Sequence, residues 1–278
     1  MLIRFHGVRG STPCHGDDIA RYGGNTSCVS VAAPGENPLL FDLGTGARYY
    51  GLACDNGEPF RGSCLLSHLH WDHVQGLPFF TPLLDEDAEL VVYAPGQNGG
   101  KAASDVLAET ICPPLFPIGL EGFPGRLDIR DAVPELELGG FEVTSVPVPH
   151  VGETCGYRVS HRGRSVAYVS DHQQPAGGAH IDDGVRRLCE GVDLLIHDAQ
   201  YTPAEFARKR DWGHCTIEYA VWLAGEVGAR RLALFHHDPT HDDEMIDQLA
   251  AGAAACGKQM GVDVFAAYEG LAVDLGSQ

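Results

Sequence analysis

Positive charge is scarce in this sequence: of 278 residues, 19 are lysine or arginine against 38 aspartate or glutamate, a formal charge of −19. A chain this acidic repels polyanions at long range unless its few cations are gathered into one patch, so large structured nucleic acids are disfavoured as partners. The one basic cluster, Arg208-Lys209-Arg210, reads equally as a solvated helix end or as a phosphate contact. No run of about 18 apolar residues is present that could span a bilayer. The opening MLIRFHGVRG lacks the basic and apolar regions of a secretory leader, so no membrane association and a cytoplasmic location are expected. The nine cysteines are an odd, scattered set without a C-x-x-C pair. That excludes a disulfide framework and a zinc ribbon, and most are expected to be small buried thiols, Cys215 among them rather than a nucleophile. Internal repeats and low-complexity tracts are also missing. With 44% hydrophobic positions the chain can bury a large core unaided, and residues 1–278 read as a single domain.

What is present is a series of short apolar, β-rich runs, each closed by Gly, Pro, Asn, Asp or His: 2–5, 28–33, 39–41, 64–66, 90–93, 141–148, 165–169, 193–196, 231–235 and 262–267. Helical periodicity is clearest over 217–227, where Ile217, Ala220, Val221, Ala224 and Val227 share a face, and over 243–255. Many strands with fewer, interspersed helices predict an α+β fold of stacked sheets flanked by helices. The stretch 78–127, rich in Pro, Gly and mixed polarity, has the weakest periodicity. It reads either as an elaborated insertion near a pocket mouth or as an ordinary surface insertion.

The strongest local signal is Ser67-His68-Leu69-His70-Trp71-Asp72-His73, an H-x-H-x-D-H pattern directly after an apolar run. Two imidazoles two residues apart on an extended segment project to one side and can grip one cation together. Asp72 and His73, in the turn that follows, can face a neighbouring position, so this short segment can begin two metal sites. Neither site is complete without further ligands. His150, Asp171 and His236 each follow a predicted strand, as His68 does, which would bring them to one edge of the sheets. The last strand ends in His236-His237, whose side chains point to opposite sides; His236 is preferred because it immediately follows the apolar run, and His237 would then serve the pocket rim or bond a neighbour. His6, His15, His161, His172, His180 and His241 have no ligand-like context.

His68, His70, Asp72, His73, His150, Asp171 and His236 resemble the ligand set of the metallo-β-lactamase superfamily, over nearly the whole chain. The resemblance implies a four-layer αββα sandwich holding two divalent metal ions. His68, His70 and His150 would bind the first and Asp72, His73 and His236 the second, with Asp171 bridging. Zinc is the first expectation, with manganese or iron as alternatives.

Secondary motifs narrow the reaction. His197-Asp198-Ala199-Gln200 and Gly213-His214-Cys215-Thr216 resemble segments of ribonuclease Z and its relatives, with Asp for Glu and Cys for Ser. The stretches 7–13, 21–27 and 41–46 resemble the N-terminal half of the same ribonuclease Z-like, cyclic-nucleotide phosphodiesterase-like branch. The likeness implies that Asp198 holds His214 toward the scissile phosphate, with Asp72 steering the nucleophile; the alternative for His214 is a helix cap. Arg9 and Asn25 are expected to make buried structural hydrogen bonds. No basic, glycine-rich arm is found, so a small phosphodiester such as a cyclic nucleotide is expected rather than precursor tRNA. A thioesterase of the hydroxyacylglutathione type and a non-hydrolytic binding protein on the same scaffold remain the alternatives, and a homodimer is possible by analogy with the branch.

Overall fold

The computed structural model describes residues 1–54, 57–177 and 180–276. Its strands form two seven-stranded sheets, each laid out nearly in chain order. The first contains β1 (Leu2–Gly7), β2 (Cys28–Ala32), β3 (Leu39–Phe41), β4 (Arg61–Leu65), β5 (Glu89–Ala94) and β6 (Arg126–Asp131), with β14 (Ala272–Asp274) outside β1. The second runs from β7 (Glu135–Leu138) through β8 (Phe141–Pro147), β9 (Cys155–His161), β10 (Arg164–Val169), β11 (Leu194–Asp198) and β12 (Arg231–Phe235) to β13 (Asp263–Ala266). Helices α1 (Gly46–Ala53), α2 (Trp71–Val74) and α3 (Ala103–Thr110) cover the first sheet; α4 (Asp183–Cys189), α6 (Ile217–Glu226) and α7 (Asp243–Met260) cover the second. The short α5 (Pro203–Lys209) precedes the loop that carries His214.

Alternation along the strands builds three apolar layers. Leu39 and Phe41 of β3 face the core between the sheets, and Leu40 faces the helices. On β12, Ala233 and Phe235 face inward while Leu232 and Leu234 pack beneath the second helical layer. A strand buried on both faces reads as a continuous apolar run, which is why these strands were visible in the sequence. The result is the expected αββα sandwich.

Each sheet is half antiparallel and half parallel. The parallel halves are β3 to β6 and β10 to β13. Their aligned carboxyl ends collect the polar residues that follow β3, β4, β10 and β12, as open parallel sheets do.

Strands 39–41 and 231–235 form at their predicted bounds, and helix 217–227 stops one residue short, behind the Thr216 cap. Helix 243–255 runs on to Met260 and stops at Gly261, whose φ of 77° is the left-handed conformation of a helix end. Four strands escaped the sequence pattern: β6 and β7 are sheet edges with alternating charged residues, β9 is interrupted by Gly, Arg and Ser, and β14 has only three residues. The stretch 78–127 supplies β5, α3 and the start of β6. Only Cys28, Cys64, Cys189 and Cys215 are buried, so the expectation that most thiols are internal is corrected; all nine are free. Among the described residues, no helix is long and apolar enough to cross a membrane.

Close backbone contact fixes the loops beneath the sheet ends. Gly76, just after α2, donates its N–H to Leu43 O, and a Cβ placed on it would lie 1.9 Å from Gly44 O. Gly76→Ala is therefore expected to destabilise the protein by about 1–3 kcal/mol through overpacking. Urea unfolding should show a lower midpoint at unchanged slope.

Candidate active site

The loops after the parallel strands bring all seven sequence-predicted side chains into one cluster. β4 ends at Leu65, and the chain turns through Ser67 and His68 into α2, the one-turn helix that presents Asp72 and His73. His150 follows β8, Asp171 follows β10 and His236 follows β12. Potential ligand atoms of His68, His70 and His150 lie within 4.8 Å of one another, as do those of Asp72, His73 and His236. Asp171 stands between the two groups: Oδ2 is 3.2 Å from His73 Nε2, and Oδ1 is 3.6 Å from His236 Nε2 and 3.8 Å from both His68 Nε2 and His150 Nε2.

The outer nitrogens of these rings are tied down. His73 Nδ1 bonds Asp42 Oδ2 at 2.7 Å, His150 Nδ1 bonds Gly213 O at 2.7 Å, and His236 Nδ1 bonds Gln200 Oε1 at 3.0 Å. Each of these acceptors needs a proton on Nδ1, which directs Nε2 inward, as a bare lone pair wherever the ring is neutral. Lone pairs facing carboxylate oxygens repel unless a cation lies between them. Consistent with that, His68 Nε2, His73 Nε2 and Asp171 Oδ2 are buried without a hydrogen bond. Buried polar atoms are rarely left so, and the donor set of nitrogens and carboxylates fits a pair of divalent ions.

Protonation differs across the cluster. Burial holds the imidazoles of His68, His70 and His150 below their ordinary value, with Asp171 opposing, so that group is ready to ligate. Burial also disfavours charge on His73 and His236, but nearby carboxylates, Asp72 and Asp171 in both cases, outweigh it and raise both. The same attractions carry Asp72 and Asp171 well below the carboxylate range against the effect of burial. In the His73–His236 half a metal must therefore displace protons.

Behind the cluster lies Asp42, which sequence reasoning did not single out. Its carboxylate, fully buried, accepts from Ser67 N at 2.6 Å, Ser67 Oγ at 2.9 Å and Tyr168 Oη at 2.6 Å, besides His73. Ser67 Oγ, having given its proton to Asp42, accepts from His68 Nδ1 at 3.0 Å. Asp42 directly follows an apolar run, the same signal that marked Asp171 and His236, so it was findable. Gln200 was quoted in a motif without a role. Its Oε1 holds His236, and its Nε2 donates to Ser11 Oγ at 3.2 Å, while Ser11 N donates to Asp72 Oδ2 at 2.7 Å. Ser11, Asp42 and His236 are three of the four non-glycine residues with positive φ among the described residues, at 62°, 59° and 59°. Strained backbone thus concentrates at this site, at about 1–3 kcal/mol per residue.

Asp198 and His214 also meet. Asp198 Oδ2 is 2.9 Å from His214 Nδ1, which stands 3.7 Å from Asp171 Oδ1. Thr216, not His214, caps α6. Asp198 is fixed in turn by the N–H groups of Gln200 and His172. Two glutamines fasten the His214 loop: Gln173 bonds Gly213 N and Arg210 O, and Gln174 bonds Thr216 N and His214 O. Gly213 has a φ of 95°, and a Cβ there would strike the His150 ring at 2.4 Å.

The remaining candidates lie outside the cluster. His237 points away from it to Ala267 O, and burial pulls its imidazole down to about 3. Arg9, fully buried, bonds the carbonyls of Gly23, Asp238 and His241, and Asn25 bonds Glu269. Cys215 donates to Asp198 O, and burial raises its thiol far out of the nucleophilic range. His172 is less isolated than the sequence implied: Nδ1 is 3.0 Å from His197 Nε2, directly behind Asp198.

Residues 63–237 match the family described as the beta-lactamase superfamily domain, and the chain belongs to that superfamily as a hydrolase of the metallo-β-lactamase fold. Within it the chain falls in the ribonuclease Z-like branch. It is 24% identical to ribonuclease Z of Natronomonas pharaonis over 284 residues, covering 83% of this chain and 89% of that protein. Among solved structures, the metallo-beta-lactamase fold protein YhfI from Bacillus subtilis superposes with a TM-score of 0.73 at 20% identity, covering 98% of both chains. The short form of human tRNase Z gives 0.67 at 22% identity, covering 99% of this chain and 100% of that one.

Asp42→Asn removes the charge that orients His73 and Ser67. Metal affinity, measured by competition with a chelator, is expected to fall about 10–100-fold, the usual effect of losing such an outer partner. In the unaltered protein, loading should weaken on acidification, because the raised His73 and His236 hold protons that metal must displace.

Proposed function

We propose that the chain is a dinuclear metal-dependent phosphodiesterase acting on a small phosphodiester such as a cyclic nucleotide. In this reading His68, His70 and His150 would hold one divalent ion and Asp72, His73 and His236 the other, with the Asp171 carboxylate between the two groups. Zinc suits these donors, and so do manganese and iron. When bound, the ions supply Lewis acidity toward a phosphoryl oxygen and a water acidic enough to attack near neutral pH. Asp72, fixed by the Ser11 N–H, would be placed to orient an attacking water. His214, held at Nδ1 by Asp198, keeps Nε2 free of protein partners among the described residues. From there it bonds a phosphoryl oxygen or, as imidazolium, gives its proton to the departing alkoxide.

The observation that carries this reading is the Asp198–His214 pair, 2.9 Å apart and beside Asp171. A thioesterase of the hydroxyacylglutathione type has no use for such a pair. A non-hydrolytic binding protein could dispense with several of the seven clustered side chains. The small substrate is supported by the charge of −19, which opposes a long polyanion. A second reading, RNA cleavage, is favoured by relatives named ribonuclease Z and by Arg208 and Arg210, exposed and without side-chain partners among the described residues. Lys209 is already paired with Asp238 at 3.0 Å.

Metal analysis should find about two ions per chain. Purified protein should hydrolyse bis-p-nitrophenyl phosphate and cyclic nucleotides faster than a thioester or precursor tRNA. Asp72→Ala should abolish turnover. His214→Ala should lower kcat about 10²–10⁴-fold with metal content unchanged. Full turnover in the His214 variant, or a preference for thioesters, would remove the assignment.

A further inference from the structure

Behind the Asp198–His214 pair, two further imidazoles are packed at the ends of adjacent strands. β10 and β11 run parallel with Val169 beside His197, so Asp171 and His172 leave one strand end where His197 and Asp198 close the next. Both His172 and His197 are completely buried. Their hydrogen bonds form a chain: His197 Nδ1 stands 2.7 Å from Asp198 O, and His197 Nε2 stands 3.0 Å from His172 Nδ1. The main-chain N–H of His172 reaches the other end of the same aspartate, donating to Asp198 Oδ2 at 3.0 Å. One residue thus grips Asp198 twice, by its carboxylate directly and by its carbonyl through His197.

The direction of this chain is forced. Asp198 O can only accept, so His197 Nδ1 carries the proton. Burial holds both imidazoles below their ordinary value and keeps them neutral, so His197 Nε2 is the acceptor and His172 Nδ1 the donor. That leaves His172 Nε2 as a bare lone pair, buried and without a hydrogen bond among the described residues. An apolar residue would fill the same space, beside the Tyr219 ring 5.6 Å away, without that unpaired atom. What the imidazole adds over such a residue is its one donor, at Nδ1.

We propose that His172 is a positioning residue, which through its own N–H and through His197 keeps the Asp198–His214 pair in register with the neighbouring Asp171. The margin is small: His214 Nδ1 is 2.9 Å from Asp198 Oδ2 and 3.7 Å from Asp171 Oδ1. A misplacement of about 1 Å at a reacting group can cost on the order of 100-fold in rate. The proposal rests on the phosphodiester reading for the step that this register serves, the action of His214 on the phosphate or its leaving group.

The test pairs two substitutions. His172→Leu removes the donor at similar bulk, and His172→Asn keeps an N–H donor near the place of Nδ1. With bis-p-nitrophenyl phosphate, His172→Leu should lower kcat about 10–100-fold at unchanged KM and unchanged metal content, and His172→Asn should recover most of that loss. In a His214→Ala background, His172→Leu should change kcat by less than about twofold, because the route through His214 is already gone. An unaltered kcat in His172→Leu, an equal loss in both backgrounds, a loss of metal, or a His172→Asn no better than His172→Leu overturns the inference and leaves the phosphodiester reading standing. If bis-p-nitrophenyl phosphate is not hydrolysed, that reading fails by itself. Proton NMR then decides the inference: the downfield imidazole signal that His214→Ala removes should exchange with water faster in His172→Leu than in His172→Asn or the unaltered protein. Equal exchange in all three, or no such signal, overturns it.

Discussion

A single buried carboxylate, that of Asp42, ties the two sheets together beneath the reaction centre. It sits at the end of β3 in the first sheet and accepts a hydrogen bond from Tyr168 on β10 of the second. Its other donors are Ser67 and His73; through them it sets the direction of the His68 and His73 rings. A buried anion is tolerated only when its lone pairs are satisfied, and four donors satisfy this one. The rings of Phe41 and Tyr168 stack 4.6 Å apart beside it, so apolar packing and the polar network share the same two strands. Cluster geometry is in this sense a property of the sheet-to-sheet interface.

The halves of the cluster are held by different means. His73 leans on Asp42 from one sheet, and His236 leans on Gln200 from the other. The left-handed backbone at Asp42 and His236 is the local counterpart of that convergence: each chain must bend sharply off a strand end to aim its side chain across the gap. Largely apolar strands such as β12, buried from Leu232 to Phe235, supply the stability that offsets the strain.

Much of this organisation was legible in the sequence because two simple signals coincide. Apolar runs mark strands buried on both faces, and a polar residue just beyond such a run marks the site edge; together they located His68, Asp171 and His236. Alternation also separated His236 from His237, which points to Ala267 O instead. The edge strands β6 and β7 stayed hidden because half-exposed alternation of charge and Leu or Ile over a few residues resembles a loop. Asp42 obeyed the strand-end rule but lacked a spacing motif to raise it above other aspartates. Gln200 carried no signal of its own, since one glutamine looks like another until the fold brings it to His236. The relatives' name keeps RNA in view as a substrate where charge alone disfavours it, because net charge reports the average field and not the surface beside one loop.

Gln173 and Gln174 lie just beyond Asp171 and clamp the backbone on both sides of His214, from Arg210 to Thr216. Asp171 and the loop that carries His214 and Trp212 are thereby bolted to one strand terminus as a single mechanical part. Substitutions elsewhere on that loop keep its register with β10 so long as the two amide fasteners stay in place; loosening either would let His214 drift from Asp171.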